Sequence, residues 1–176
     1  MLSQESERRL LEIEPFEGPL TDLILLPLRA DYRILEIANG LQRNKHSRQI
    51  GFLTLINHHS AAPQQIKEQN QEVYQLLQAI QRGDIGIISQ YPENIAAQAL
   101  TLIDGPQFRS IYTPDLPDIH FGKLRKKLIE LADASVTDSE DIICHLLDAD
   151  TQFSTAHMNR LRKAFNSGIA ANIASH

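Results

Sequence analysis

Three groups of residues in this chain have types and spacings that could do chemistry. Asp141, His145 and Asp148 fall at i, i+4 and i+7, so on a helix their side chains would converge on one face and could share a metal ion. No second helix offers a matching set, and metal centres in helical bundles draw ligands from facing helices. The expectation is a solvated helix edge with His145 paired to Asp141, and no metal. His58 and His59 point different ways at a helix end, where imidazoles favour the negative pole of the dipole; a capping role is expected. Cys144 is the single cysteine. With no local histidine partner it reads as a small buried hydrophobe on a helix carrying Ile142, Ile143, Leu146 and Leu147.

Catalytic motifs are missing. The eight glycines are scattered and form no phosphate-cradling loop, and there is no GxSxG, HExxH or paired CxxC. The expectation is a protein without enzymatic chemistry and without a cofactor. Binding chemistry is better represented. Residues 29–48 hold Arg29, Arg33, Arg43, Lys45 and Arg48 against Asp31 and Glu36, and residues 123–127 read KLRKK. The formal net charge is nevertheless −5. A protein that holds nucleic acid by overall charge is basic, so any such contact must come from a local patch. Arg33, Arg43 and Arg48, extended along a helix or helix pair, would present several phosphate contacts.

The elements that must position these residues read as helices. The chain has 176 residues, 42% of them apolar and 22% charged, with 6% aromatic and no Trp. That is enough to close one core built mainly from Leu, Ile and Ala, a helix-bundle palette. Ser3, Glu5 and Glu7 open a capped first helix that stops near Pro15. Leu28, Tyr32 and Leu35, widened by Ile34, Ile37, Ala38 and Leu41, begin a longer one, which the stripe Ile50, Leu53 and Ile56 continues. Pro63 opens the next helix and Gly83 closes it. Ile66, Val73 and Ile80 recur along it every seven residues, with Leu76 and Leu77 beside them. Asp84 caps a short segment, and Ile95, Ala99 and Leu102 mark another helix.

Residues 104–118 contain Pro106, Pro114 and Pro117 without a period, which predicts a linker between an N-terminal part, 1–103, and a C-terminal helical subdomain, 119–176. In that subdomain Phe121, Leu124, Leu128 and Leu131 form an apolar stripe opposite KLRKK. Thr137 and Glu140 match a capping box, and Ser154 caps a helix bearing Met158, Leu161 and Phe165. The fold expectation is all-α: a multi-helix bundle with a long helical hairpin over residues 29–82. No apolar run approaches the ~20 residues that span a bilayer. The first residues, MLSQESERRL, lack a signal-peptide core, and a lone cysteine does not fit a disulfide-stapled secreted domain. These features make a cytoplasmic location the expectation.

The order SQESERR, LLPL, ADYRILEIA and then Arg48-Gln49 followed by apolar residues, within residues 3–50, resembles the YjgA/DarP family of dual-action ribosomal maturation proteins. The resemblance implies an all-helical, non-enzymatic factor acting in late assembly of the large ribosomal subunit through its RNA. It assigns RNA contact to Arg48 and Gln49, and more loosely to Arg33, Arg43 and Lys45. The chain departs from the family where an arginine cluster is reduced to KHSRQ and where IGFLTLI replaces an apolar-basic segment. The partner expected on this reading is a ribosomal particle or rRNA. A second reading is a helical adaptor that meets another protein, or a second copy, through an exposed seam of Ile66, Val73 and Ile80. A third draws residues 137–165 as a helix-turn-helix reading DNA through residues 154–165, with His157, Asn159, Arg160, Arg162 and Lys163 on its second helix.

Overall fold

The computed structural model describes residues 13–28, 31–42, 46–58, 61–113, 121–136, 142–148 and 154–166. Along the chain these form β1 (Asp22–Leu28), α1 (Arg33–Gln42), a 3-10 turn (Ser47–Gln49), β2 (Ile50–Asn57), α2 (Gln64–Arg82), α3 (Ile85–Ile88), α4 (Glu93–Leu100), β3 (Gln107–Thr113), α5 (Phe121–Ser135), β4 (Ile143–Leu146) and α6 (Thr155–Asn166). The strands make one sheet in the order β3-β2-β1-β4, with every pairing parallel.

The fold is therefore α/β, and the expected all-α helical bundle is corrected. The physical reason lies in the strands themselves. β1 reads DLILLPL and β2 reads IGFLTLIN, with Ile50 to Ile56 wholly buried. Parallel strands covered by helices on both faces are continuous apolar runs rather than alternations, and such runs cannot be told from buried helix by periodicity. The hairpin drawn over residues 29–82 is instead α1, β2 and α2. The stretch 104–118, read as a linker, contains strand β3 at one edge of the sheet. Ile143–Leu146 is strand β4 beside β1, so the 137–165 segment lacks the first helix of a helix-turn-helix.

Even-numbered β1 residues and their partners face one side, where Ile24, Leu26, Phe52, Ile56 and Phe108 pack under α1, α2, α3, α4 and α6. Phe52 and Phe108 stack there at 5.2 Å. Leu23, Leu25, Leu53, Leu55 and Ile111 face the other side, under α5 and the segment holding Phe16 and Leu20. Pro27 sits inside a central strand without breaking it. Thr21 and Leu25 turn their carbonyls to β4, accepting from Ile143 and Leu147, so the missing N–H of Pro27 faces the side where that ladder has ended.

Several helix expectations hold. α2 follows Pro63 and ends at Gly83, which has φ +66° as a left-handed cap requires. Val73, Leu76, Leu77 and Ile80 are buried in the core under the sheet, and Ile66 is half-buried. The seven-residue seam is thus a helix–sheet contact, not an exposed stripe for an adaptor partner. Leu124, Leu128 and Leu131 are buried on α5, and Ser154 accepts from the His157 amide at 3.3 Å at the start of α6. The first expected helix start at Ser3, the Thr137–Glu140 box, and Arg29, Arg43, Lys45, His59 and Asp141 lie outside the described residues. Among the described residues no helix is long and apolar enough to cross a membrane.

Candidate functional site at the strand reversal

The chain moves from β1 to β2 to β3 on one side and then returns across the sheet to place β4 on the other side of β1. α5, which makes this return, packs on the face opposite α1 and α2. The winding therefore reverses between β1 and β4. In open α/β sheets the crevice outside the carboxyl ends of two such strands is where ligands bind. Backbone pairing continues past β4, with the Leu147 N–H donating to Leu25 O at 3.0 Å, and the next residue is Asp148.

Asp148 projects at this edge half-exposed, and Arg125 of α5 donates to its Oδ1 at 2.8 Å. Across the reversal, Asp31 caps α1. It accepts from the Arg33 amide at 2.9 Å and from Arg33 Nε at 2.5 Å. A carboxylate thus occupies the helix start that would hold a phosphate in a dinucleotide fold, and the sequence Arg29-Ala30-Asp31-Tyr32-Arg33 has no glycine to let a diphosphate approach the backbone. A phosphorylated ligand at this edge would be met instead by basic side chains or by a cation shared with carboxylates. Mg²⁺ is commonly held by one or two carboxylates together with substrate phosphates. The sequence Asp148-Ala149-Asp150 supplies a second carboxylate two residues on; Asp150 is outside the described residues. Among the described residues no three His, Cys, Asp or Glu side chains cluster into a metal site.

Positive charge is near. α5 presents exposed Lys123 and Lys126 on the face away from Leu124 and Leu128. Both ion pairs at the edge are partly solvated and worth at most about 1 kcal/mol each, so a ligand can displace either. On the α1 side, the Tyr32 hydroxyl donates to Glu72 Oε2 at 3.3 Å. Burial, reinforced by the Glu72 charge, pushes its phenol up to about 12.

The residues expected to meet RNA are not one surface. Arg33 stands at the carboxyl edge; Arg48, paired with Asp104 at 2.9 Å, stands before β2 at the opposite end of the sheet. The Gln49 carbonyl accepts from the Thr21 amide at 2.8 Å. Arg48 and Gln49 line a cavity of about 510 Å³ together with Arg82, Arg109 and Gln107. Arg43 and Lys45 are outside the described residues.

Of the expected Asp141–His145–Asp148 constellation, the two described members His145 and Asp148 have separate partners, because a strand replaces the helix that would have aligned them. His145 turns into the sheet and places Nε2 2.9 Å from Asp22 Oδ1, with both side chains buried. Thr21 Oγ1 donates to the other carboxylate oxygen at 2.7 Å, and Arg162 of α6 donates to it as well. Burial works against the Asp22 charge, but the hydrogen bonds from His145 and Thr21 and the charge of Arg162 outweigh it and hold the carboxyl below its ordinary value. Every oxygen is engaged and solvent is excluded, so this network is a clamp joining β1, β4 and α6. His58, expected to cap a helix, follows β2 and is buried, with Nδ1 3.1 Å from Asn70 Nδ2. Cys144 is exposed on β4 rather than buried on a helix.

Sequence reasoning missed the edge role of Asp148 because it assigned that residue to a helix face. The available signal was a short, mostly apolar stretch, Ile142 to Leu147, broken by His145 and ending in Asp-Ala-Asp. Compared with known proteins, the chain matches no family, no curated protein and no solved structure.

Proposed function

We propose that this chain binds a nucleoside diphosphate, or a ligand built on one, at the strand reversal, sharing a divalent cation between the ligand's phosphates and the carboxylate of Asp148. The carrying observation is the position of Asp148, directly beyond β4 and beside β1, at the site where doubly wound sheets hold ligands. The basic start of α5, with Lys123, Arg125 and Lys126, supports anionic ligation. The reading is of a cation-dependent nucleotide-binding site, in place of the RNA-associated role expected from the sequence.

Calorimetric titration with nucleoside diphosphates in the presence of Mn²⁺ tests it. Saturable binding is expected, lost with a chelator and weakened at least tenfold in Asp148→Asn. Equal affinity with and without metal, or an unaffected variant, overturns the reading.

A second reading keeps the expected RNA-associated factor of ribosome assembly. Arg48 and Gln49 on the walls of the 510 Å³ cavity favour it, since Arg48 is exposed and Arg82 stands in the same lining. Charge reversal at Arg48 and Arg82 is then expected to abolish co-sedimentation with ribosomal particles at low salt, and unchanged co-sedimentation removes this reading.

A further inference from the structure

β3 is an edge strand, and around its free edge lies a second cavity of about 360 Å³, lined by the strand, α2 and the segment Ile13–Glu14. One end is aromatic: Tyr74 and Tyr112 stack with ring centroids 5.7 Å apart. The other end is basic, formed by Arg82 and Arg109. Gln78 and Gln81 lie on the α2 wall between them.

Arg109 is the unusual member. It is 7% exposed, yet among the described residues no carboxylate lies within ion-pair distance. Its guanidinium donates to the carbonyls of Glu14 at 2.8 Å, Pro15 at 2.7 Å and Phe108 at 2.9 Å, and it stacks over Phe16. Burial lowers its pKa, while the nearby Glu14 and Glu17 charges oppose that shift. A guanidinium has five N–H groups, of which three are engaged by these carbonyls. Buried charges are ordinarily paired, and this one borders a cavity. Arg82 is exposed and makes no ion pair among the described residues.

Among the described residues Glu14 is the one carboxylate in the lining, and Gln81 Nε2 donates to it at 3.0 Å. Two arginines and one glutamate leave a net charge of about +1, which favours a monoanion over a phosphate dianion. We infer that this cavity binds a small aromatic carboxylate, its ring against Tyr74 and Tyr112 and its carboxylate received by Arg82 and Arg109. Planar carboxylates match the guanidinium fork in geometry. Cavities of this size are typical of small-molecule sites. The site lies along the β3 edge, away from the β1–β4 reversal, and stands independently of the nucleotide reading.

The probes are benzoate, neutral benzamide and inorganic phosphate, titrated into the full chain while the tyrosine ring and side-chain amide resonances are followed by NMR. Benzoate is expected to give saturable shifts at Tyr74, Tyr112, Gln78 and Gln81, and to bind at least tenfold more tightly than either benzamide or phosphate. Arg82→Gln is expected to weaken benzoate about tenfold, and Arg82→Lys to restore part of the loss. Arg109 anchors the chain segment before β1, so the variants are confined to exposed Arg82. Benzamide or phosphate binding as well as benzoate, an Arg82→Gln protein with unchanged affinity, or shifts that avoid Tyr74 and Tyr112 overturns the assignment.

Discussion

His145 on β4 places Nε2 2.9 Å from Oδ1 of Asp22, the first residue of β1. An ionised carboxylate only accepts hydrogen bonds, so Nε2 carries the proton. The pair fastens the short edge strand to the central one, and Arg162 brings α6 to the same carboxylate. Asp22→Ala leaves three donors, from His145, Thr21 and Arg162, facing a void. It is expected to destabilise the fold by about 3 kcal/mol, measured by urea unfolding.

The same carboxylate sets an acid response. Its folded pKa lies below the ordinary value of 3.8. Its contribution is therefore fully present above the ordinary carboxylate range and disappears as pH falls through the lowered value. Unfolding free energies measured from pH 6 down to pH 2 should show a loss in the wild type that is smaller in Asp22→Asn. Parallel curves for the two proteins would dismiss this role.

Gly51 is held by close approach. A Cβ there would stand 2.8 Å from Phe16 Cε1 and 3.0 Å from Leu20 Cδ1, both in the core beneath α5. Gly51→Ala should cost about 1–3 kcal/mol through overpacking. Thermal unfolding checks it, and the combined Gly51→Ala, Phe16→Leu protein should lose less than the sum of the single changes.

Tyr32 is expected to titrate at about 12. Burial is the larger cause and the Glu72 charge the next, so Glu72→Gln should lower the phenol pKa without returning it to the ordinary 10. Alkaline ultraviolet titration resolves this when compared with Tyr32→Phe, because the chain has four tyrosines. An unchanged curve in Glu72→Gln would place Glu72 outside the electrostatic reach of Tyr32.

Asp148 is half-exposed and its bond to Arg125 is partly solvated. Asp148→Asn should therefore change folding stability by no more than about 0.5 kcal/mol. Equality of denaturation midpoints makes a loss of metal-dependent nucleotide binding in this variant a statement about the site. A collapse of stability would assign Asp148 a structural role instead.

Local chemistry fixed much of the helical part from the sequence alone. Pro63 and Gly83 bracket α2, Asp84 caps α3 by accepting from the Ile87 amide at 3.0 Å, and the Leu124, Leu128 and Leu131 stripe gives α5 its buried face. Caps, prolines and 3.6-residue periods act within one or two turns, so they are readable without the rest of the chain. The strands are not, because LILLPL and GFLTLI become β only when helices cover both sides of the sheet. Whether β4 lies beside β1 depends on contacts more than a hundred residues apart. That placement turns His145 inward to Asp22 and leaves Asp148 at the open edge, while the crossover between parallel β1 and β2 parts Arg33 from Arg48 along the sheet. The residue types were visible in the sequence from the start. Which of them face a buried partner and which stand at the open edge was decided by the parallel pairing, because strand order alone sets where the winding reverses.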